Sequence, residues 1–263
     1  MSKFIKADLY KLRKTTTIYI LFSISLVTAL IVLFVMNQMA TGDMSADMGT
    51  NISLITDTML VGIFGGIIIG DLVVEDFSTK FIHNKIMSGK GRKSIILSKV
   101  VSFIIYFSIV LSPYFIIAIV AAACGKKFAP LLGIPSAFFD LIAGYSSQSN
   151  SEMLKYILLA VVIIVIYIAR LSICFPFAFK IQKKIPVLVV GFVTSFIFDI
   201  VFSLVKDINV LSDFVKLLPY YQMTQITIDA SSKNIIGALA SSVVFLAVMV
   251  EITYLLFKKS EIK

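Results

Sequence analysis

Long apolar runs alternate with short charged segments along this chain. The runs lie near residues 17–36, 52–72, 97–124, 157–179, 186–206 and 236–257. Each is close to the roughly 20 apolar residues that a helix needs to cross a hydrocarbon core about 30 Å thick. Helices are expected because a backbone inside lipid must satisfy its own hydrogen bonds. The pattern predicts an all-α integral membrane protein with about six spans.

A shorter amphipathic stretch, residues 1–16, precedes the first run. Its apolar residues fall within an arc of about 140° on a helix that turns about 100° per residue, and they are Phe4, Ile5, Leu9 and Leu12. The cations that lie largely opposite are Lys3, Lys6, Arg13 and Lys14. This favours an interfacial helix that rests on anionic lipid and enters the membrane at an elbow. A basic tail that only sets the topology is the alternative.

Lys and Arg concentrate in alternate connections between the runs. Of the 24 cations, 17 share a side with both termini, six lie on the other side, and Arg170 lies within a span. The positive-inside rule therefore predicts cytoplasmic termini, including a short C-terminal tail at 258–263. It also accounts for the formal net charge of +9 without nucleic acid as a partner.

Composition agrees with this reading. Hydrophobic residues make up 59% of the chain, charged residues 15%, and the mean hydropathy is +0.98, whereas soluble domains have about 45–50% apolar and about 25% charged residues. Six spans leave no room for a large soluble domain in 263 residues. The two cysteines, Cys124 and Cys174, are predicted at opposite depths, so no disulfide is expected.

Three glycines in the second run recur every four residues. Gly62, Gly66 and Gly70 fall along one narrow stripe of a helix, which predicts close packing against another helix. The spacing matches neither G-x-G-x-x-G nor G-x-x-x-x-G-K-[ST]. The sequence therefore indicates a packing surface and no nucleotide loop.

The segment 71–99 is the longest predicted cytoplasmic connection. Acidic Glu75 and Asp76 follow the second run, and Ser78 or Thr79 is placed near the start of a new helix over 79–87. The apolar residues on one side of that helix are Phe81, Ile82 and Ile86. Such a helix either docks into a groove of a partner protein or lies on lipid. The residues alone leave both readings open.

Three ionisable residues lie inside predicted spans: Arg170, Asp199 and Glu251. Arg170 and Glu251 both fall about 20 Å from the outer ends of their spans, so they could pair. A structural salt bridge is favoured over a substrate or proton site, because pairing removes the cost of desolvation. Asp199 lies nearer the outer side, and its partner is not evident.

Residues 213–229 are too apolar for a free loop. They predict a re-entrant or interfacial helical pair broken at Pro219, with Tyr220 and Tyr221 at the level of the headgroups. A loop anchored by these aromatics is the alternative. The sole histidine, His83, lies on the basic connection, so no catalytic, cofactor-binding or metal-binding residue is predicted.

Two stretches resemble a known family. "ADLYKLRK" and, above all, "VVEDFSTKFIHNKIMSGKGRKSIILSK" look like the permease subunits of type-2 ATP-binding-cassette (ABC) exporters, particularly the short ones of Gram-positive bacteria that serve peptide export and self-protection against antimicrobial peptides. The residues that match are Glu75 or Asp76, Phe77, Ser78 with Thr79, Lys80 and Gly89. Many relatives have glycine where Ser78 stands. "LLPYYQMTQI" is similar to a Leu-Pro-aromatic turn of the family.

The resemblance implies a multi-pass permease of the bacterial cell membrane without an ATPase site of its own. Two permease subunits, identical or different, would form the pathway, and ATP with Mg would be bound by partner ATPase subunits. Helix 79–87 would be the coupling helix. The coupling residues would be Glu75, Asp76, Phe77, Thr79, Lys80, Phe81, Ile82 and Ile86.

The expected function is export of a hydrophobic or amphipathic substrate such as a peptide, driven by ATP hydrolysis on the partner. Two alternatives stay open. One is a non-transport immunity or sensor subunit that binds antimicrobial peptide in the bilayer. The other is an ion-coupled secondary transporter that uses Arg170, Asp199 and Glu251.

Overall fold

Helices form all of the regular structure that is described, which confirms the all-α prediction. The computed structural model describes residues 2–42, 57–89, 91–124, 128–129, 137–143, 150–205, 218–224, 226–227 and 230–259. The helices are α1 (Ser2–Lys14), α2 (Thr16–Thr41), α3 (Asp57–Ser78), α4 (Phe81–Met87), α5 (Arg92–Ala123), α6 (Ala137–Ala143), α7 (Asn150–Leu171), α8 (Cys174–Ile181), α9 (Lys184–Val205), α10 (Pro219–Thr224) and α11 (Ser232–Lys259).

Five stretches of helix are long and apolar enough to cross a membrane. They are Thr16–Thr41, Asp57–Ser78, Arg92–Ala123, Met153–Ile181 and Ser232–Lys258. The sixth predicted span, 186–206, falls in α9, whose apolar stretch within the residues searched is Lys184–Ser195. The described part of the chain thus has the helices of a multi-pass membrane protein, with five candidate spans where the sequence predicted six.

Two predicted spans differ from the helices in detail. The second was predicted to end at 72, but α3 continues to Ser78 and contains a π turn, Gly70–Val74, in which the N–H of Glu75 donates to the carbonyl of Gly70. The predicted span 157–179 consists of α7 and α8, separated by a turn at 172–173. Pro176 has no N–H to donate to the carbonyl of Ser172, so the helical ladder breaks there.

The backbones of α3 and α9 touch at glycines. A Cβ added at Gly62 would lie 2.7 Å from the carbonyl oxygen of Gly191, and one added at Gly66 would lie 2.7 Å from the Cα of Leu188. Real Cβ atoms do not approach backbone atoms so closely, so both positions require glycine. A Cβ at Gly70 would meet nothing nearer than 3.6 Å. Close approach through small residues is how membrane helices gain packing energy.

Both ends of the described chain lie at one end of the bundle, where α5 begins. Lys99 of α5 donates to Asp8 of α1, and Arg92 donates to the carbonyl oxygens of Phe257 and Lys258 at the end of α11. We call this region the charged end. It is defined by the ionisable residues Asp8, Lys11, Asp76, Lys85 and Lys99.

Candidate functional site

Two buried carboxylates and a buried lysine form the centre of the charged end. Lys99 Nζ lies 2.8 Å from Asp8 Oδ1 and also contacts Asp76 Oδ2. The three side chains are only 1–2% exposed. Removing one member of such a group leaves a buried charge without compensation, which costs about 3–5 kcal/mol. The group therefore fixes α1, α3 and α5 to one another.

Two further lysines border this centre, in different surroundings. Lys11 lies 2.9 Å from Asp76 Oδ1 and 3.3 Å from Glu75 Oε1, with a third of its side chain exposed. Burial alone would lower the pKa of Lys11, but the hydrogen bond and attraction to Asp76, helped by Glu75, outweigh burial, so the pKa is raised above 10.5. Lys11 thus adds a favourable link between α1 and α3.

Lys85, on α4, is nearly fully buried. Its ammonium lies 3.5 Å from Asp8 Oδ1 and over the rings of Phe81 and Phe4, at 4.4 and 5.1 Å from their centroids. Burial, followed by repulsion from Lys99, lowers the pKa of Lys85 below its ordinary value of 10.5. Cation–π contacts partly replace the lost water. Lys85 therefore attaches α4 to α1 at a cost in desolvation.

The chain turns sharply between α3 and α4. The hydroxyls of Ser78 and Thr79 donate back to the carbonyl of Glu75, at 2.8 and 2.9 Å, so they end α3 and do not cap the start of α4 as the sequence suggested. Lys80 then adopts the left-handed conformation with φ 56°. This reversal lays α4 across the charged end, and Gly89, with φ +78°, follows its last turn.

Contrary to the sequence prediction, the apolar residues of α4 do not all lie on one side of the helix. Ile82 is fully buried and Ile86 is partly buried, both packed within the protein's own core. Phe81 and Met87 are 40% and 85% exposed. The sequence groups Phe81 with Ile82 and Ile86 on one surface, but Phe81 lies about 100° from Ile82 around the helix, on the side of Lys85, whose ammonium lies over its ring. The outer surface of α4 thus presents two apolar side chains together with the exposed Lys80 and Asn84.

Acidic residues on the other side of α3 bind α9. Lys184 Nζ, at the start of α9, lies 2.6 Å from Asp71 Oδ1 and 3.0 Å from Glu75 Oε2. Below them Phe77 packs edge-on against Phe179 and Phe257, with centroids 5.7 and 6.0 Å apart. Glu75 and Phe77, which belong to the stretch that resembles exporter permeases, therefore join α3 to α8, α9 and α11.

Arg170 lies in a second buried polar group, away from the charged end. Its guanidinium donates to the carbonyl of Ser195 at 3.2 Å and to Met223 Sδ at 3.2 Å, and it lies 4.7 Å from the centroid of Tyr220. The side chain is 2% exposed. Tyr167, one turn earlier on α7, donates to Asp57 Oδ2 at 2.8 Å. The group connects α3, α7, α9 and α10.

The suggested pair between Arg170 and Glu251 does not form. Glu251 lies on the surface, 56% exposed, where its carboxylate is 3.4 Å from Lys93 Nζ. Lys93 is the second residue of α5, so this pair lies beside the charged end. Arg170 of α7 instead lies beside Ser195, about halfway along α9. The number of residues from the outer end of each span predicts the depth of a residue. It does not predict which side of its helix the residue lies on. Asp199 lies in α9, and its side chain falls outside the described residues.

Tyr220 is buried, whereas the sequence placed it at headgroup level. Its hydroxyl donates to the carbonyl of Arg170 at 3.1 Å, and its ring contacts Phe245. Phe245 is 13 residues into α11, or about 20 Å along the helix at 1.5 Å per residue. Within the segment 213–229, α10 is the described helix, and Pro219 is its first residue. This short helix therefore lies deep beside α11.

Candidates for chemistry are few. Within the described ranges, no group of three or more His, Cys, Asp or Glu side chains could hold a metal ion. Both cysteines are free thiols. The ionisable groups of the charged end are engaged in ion pairs that join helices.

Sequence reasoning missed several members of these groups. Asp8 projects from α1 between Phe4 and Leu12, within the apolar arc of the helix. An acidic residue at such a position indicates burial, and Asp8 is buried. Lys99 ends the predicted connection 71–99, although it follows the largely apolar stretch "SIILS" and also falls within the predicted run 97–124. Asp57 and Tyr167 carried no recognisable pattern.

Comparison with known proteins leaves the chain unassigned. No family model matches the sequence. No curated protein matches it either.

Proposed function

We propose that this chain is the membrane-spanning permease subunit of an ABC exporter and that α4 is the helix on which its ATPase partner acts. The observation that carries the proposal is the construction of α4. It is held from inside by Ile82 and Lys85, while Phe81 and Met87 are exposed. A short helix with a fixed inner face and exposed apolar side chains on its outer surface is suited to dock into a partner's groove.

The ion pairs of the charged end support a mechanical role. Lys85 links α4 to Asp8 of α1, and Lys99 links α1 and α3 to α5. A displacement of α4 is therefore transmitted to three helices, two of which are candidate membrane spans. ATP and Mg would be bound by the partner, and this chain would contribute no catalytic residue.

The proposed orientation places the charged end in the cytoplasm of a bacterial cell. The positive-inside rule favours this, because most cations of the chain share a side with both termini. The ATPase subunits would then meet α4 from the cytoplasm. A second permease, identical or not, would complete a pathway for a hydrophobic or amphipathic substrate such as a peptide.

Co-purification tests the proposal. The tagged chain, extracted from its native membrane in mild detergent, is expected to retain an ATPase subunit, identified by peptides that contain a G-x-x-x-x-G-K-[ST] loop. Met87→Asp should weaken this association at least tenfold, because it places a charge in an apolar contact. Leu154→Asp is the matched control, since Leu154 is 70% exposed on α7.

Other outcomes favour the alternatives. A complex without any ATPase subunit, but with bound antimicrobial peptide, would favour the immunity or sensor function. Transport that follows a proton gradient without ATP would favour the ion-coupled transporter. Retention of the ATPase subunit by the Met87→Asp variant at the native level would contradict α4 as the docking element.

A further inference from the structure

The π turn Gly70–Val74 interrupts α3 between two fixed regions. On the side toward Asp57, Gly66 touches the backbone of Leu188. On the other side, Asp76 is held in the buried ion pairs of the charged end. π-helical turns are rare and often occur at functional sites. This one separates a rigid helix contact from the part of α3 that leads into α4.

Rewinding the π turn into α-helix has a defined geometric effect. A π turn holds one residue more than an α-helical turn, as the bond from the Glu75 N–H to the Gly70 carbonyl shows. If the Gly66 contact stays fixed, the segment after the turn rotates by about 100° and advances by about 1.5 Å. Each residue after the turn then occupies the position that the following residue holds in the observed structure. Glu75 would occupy the place of Asp76.

The charged side chains around the turn suit both registers. Lys11 already lies 3.3 Å from Glu75 and 2.9 Å from Asp76. Lys184 contacts Asp71 at 2.6 Å as well as Glu75, so it keeps a carboxylate after Glu75 rotates away.

The displaced Asp76 would leave the buried ion pairs of the charged end. It would move to the place of Phe77, so the α-helical register gives up the edge-on contacts of Phe77 with Phe179 and Phe257. The place beside Lys11 and Lys99 therefore holds a carboxylate in either register, Asp76 in one and Glu75 in the other.

Gly70 fits this interpretation. A Cβ at this position would have ordinary contacts at 3.6 Å and more, so packing does not require glycine here. Glycine does give the backbone greater conformational freedom, and Gly70 is the first residue of the π turn. Its position is where a change between π and α hydrogen bonding would begin.

We propose that the π turn is a register switch. In one state α3 has the observed π turn with Asp76 between Lys11 and Lys99, and in the other it is α-helical with Glu75 in that place. The change rotates α3's last turn and displaces α4. The inference rests on the contacts of this chain alone and needs neither the ATPase partner nor the proposed orientation.

Fluorine NMR of the full chain in lipid nanodiscs tests the switch. Met87→Cys, combined with Cys124→Ser, carries a trifluoromethyl probe at a side chain that is 85% exposed. We expect two resonances in slow exchange. Deletion of Val73 removes the extra residue and should leave one resonance. Asp76→Asn should raise the population of the α state about tenfold, and Glu75→Gln should lower it by a similar factor.

Three results would overturn the proposal. They are a single resonance from the probe in the otherwise native chain, two unchanged resonances after deletion of Val73, and population shifts in the same direction for the two substitutions. If the deletion variant does not fold, the opposite shifts of Asp76→Asn and Glu75→Gln decide the question by themselves.

Discussion

Lys85 and Lys99 are both buried at the charged end, but their surroundings differ. Lys99 contacts the two buried carboxylates, at 2.8 Å from Asp8, whereas Lys85 lies 3.5 Å from Asp8 and over two aromatic rings. With Glu75 included, three carboxylates face three lysines. Loss of Lys99 removes the closest compensation of both buried carboxylates, while loss of Lys85 leaves each of them a cation.

We therefore expect Lys99→Met to lower the free energy of unfolding by about 3–5 kcal/mol. Lys85→Met, the matched control at the same end of the bundle, should change it by less than about 1 kcal/mol, because removing a desolvated charge offsets the lost contacts. Denaturant titration of the purified chain in detergent measures both. Equal losses for the two variants would contradict the assignment of Lys99 as the centre.

The lowered pKa of Lys85 predicts that the free energy of unfolding depends on pH. Its pKa is lowered in the folded chain, so between that pKa and 10.5 the unfolded state binds more protons than the folded state. The free energy of unfolding should consequently rise with pH in this window through Lys85. The raised pKa of Lys11 acts in the other direction only above 10.5.

The measurement is the difference in unfolding free energy between the native chain and Lys85→Met from pH 8 upward. This difference should shift in favour of the native chain as the pH approaches 10.5. A difference that is constant with pH would show that Lys85 is not desolvated in the folded chain.

Single residues were the hardest features to predict. The sequence predicts a pair between Arg170 and Glu251 because both lie at the same depth, but depth does not specify the direction of a side chain. Arg170 instead contacts residues of α9 and α10. Tyr220 was assigned to the headgroups from its residue type, whereas its burial depends on the path of α10. Contacts between residues distant in sequence cannot be read from a local pattern.

At the scale of elements, the glycine stripe of α3 divides into two kinds of position. Gly66→Ala should destabilise the chain by about 1–3 kcal/mol, because the added Cβ meets the Cα of Leu188 at 2.7 Å. Gly70→Ala should leave the thermal midpoint of unfolding nearly unchanged, since its Cβ has room. Thermal unfolding in detergent compares the two variants. A larger loss at Gly70 than at Gly66 would contradict the close contact of α3 with α9.

Helix boundaries followed from the sequence only in part. Long apolar runs predicted the helices themselves, because hydropathy over about 20 residues is a strong signal. The sequence predicts that the second span ends at 72, because Asp71, Glu75 and Asp76 indicate an exit from the membrane, but α3 continues to Ser78. Ion pairs with lysines of α1, α5 and α9 allow the helix to continue through these acids.

At the scale of the whole molecule, the charged end joins distant parts of the chain. Asp8 and Lys99 are 91 residues apart, and Arg92 and Phe257 are 165 apart. The N-terminal helix, α4 and the end of α11 thus belong to one connected region. In the proposed permease this region is where the force of the ATPase partner enters the membrane helices.

Photo-crosslinking from α4 tests the central claim most directly. A benzophenone amino acid at position 87, in cells that express the chain with its native partners, should crosslink to an ATPase subunit identified by its phosphate-binding loop peptides. The same probe at position 154 on α7, where Leu154 is 70% exposed, should not. Absence of this crosslink at position 87 while the ATPase subunit is present, or equal crosslinking from both positions, would contradict the account.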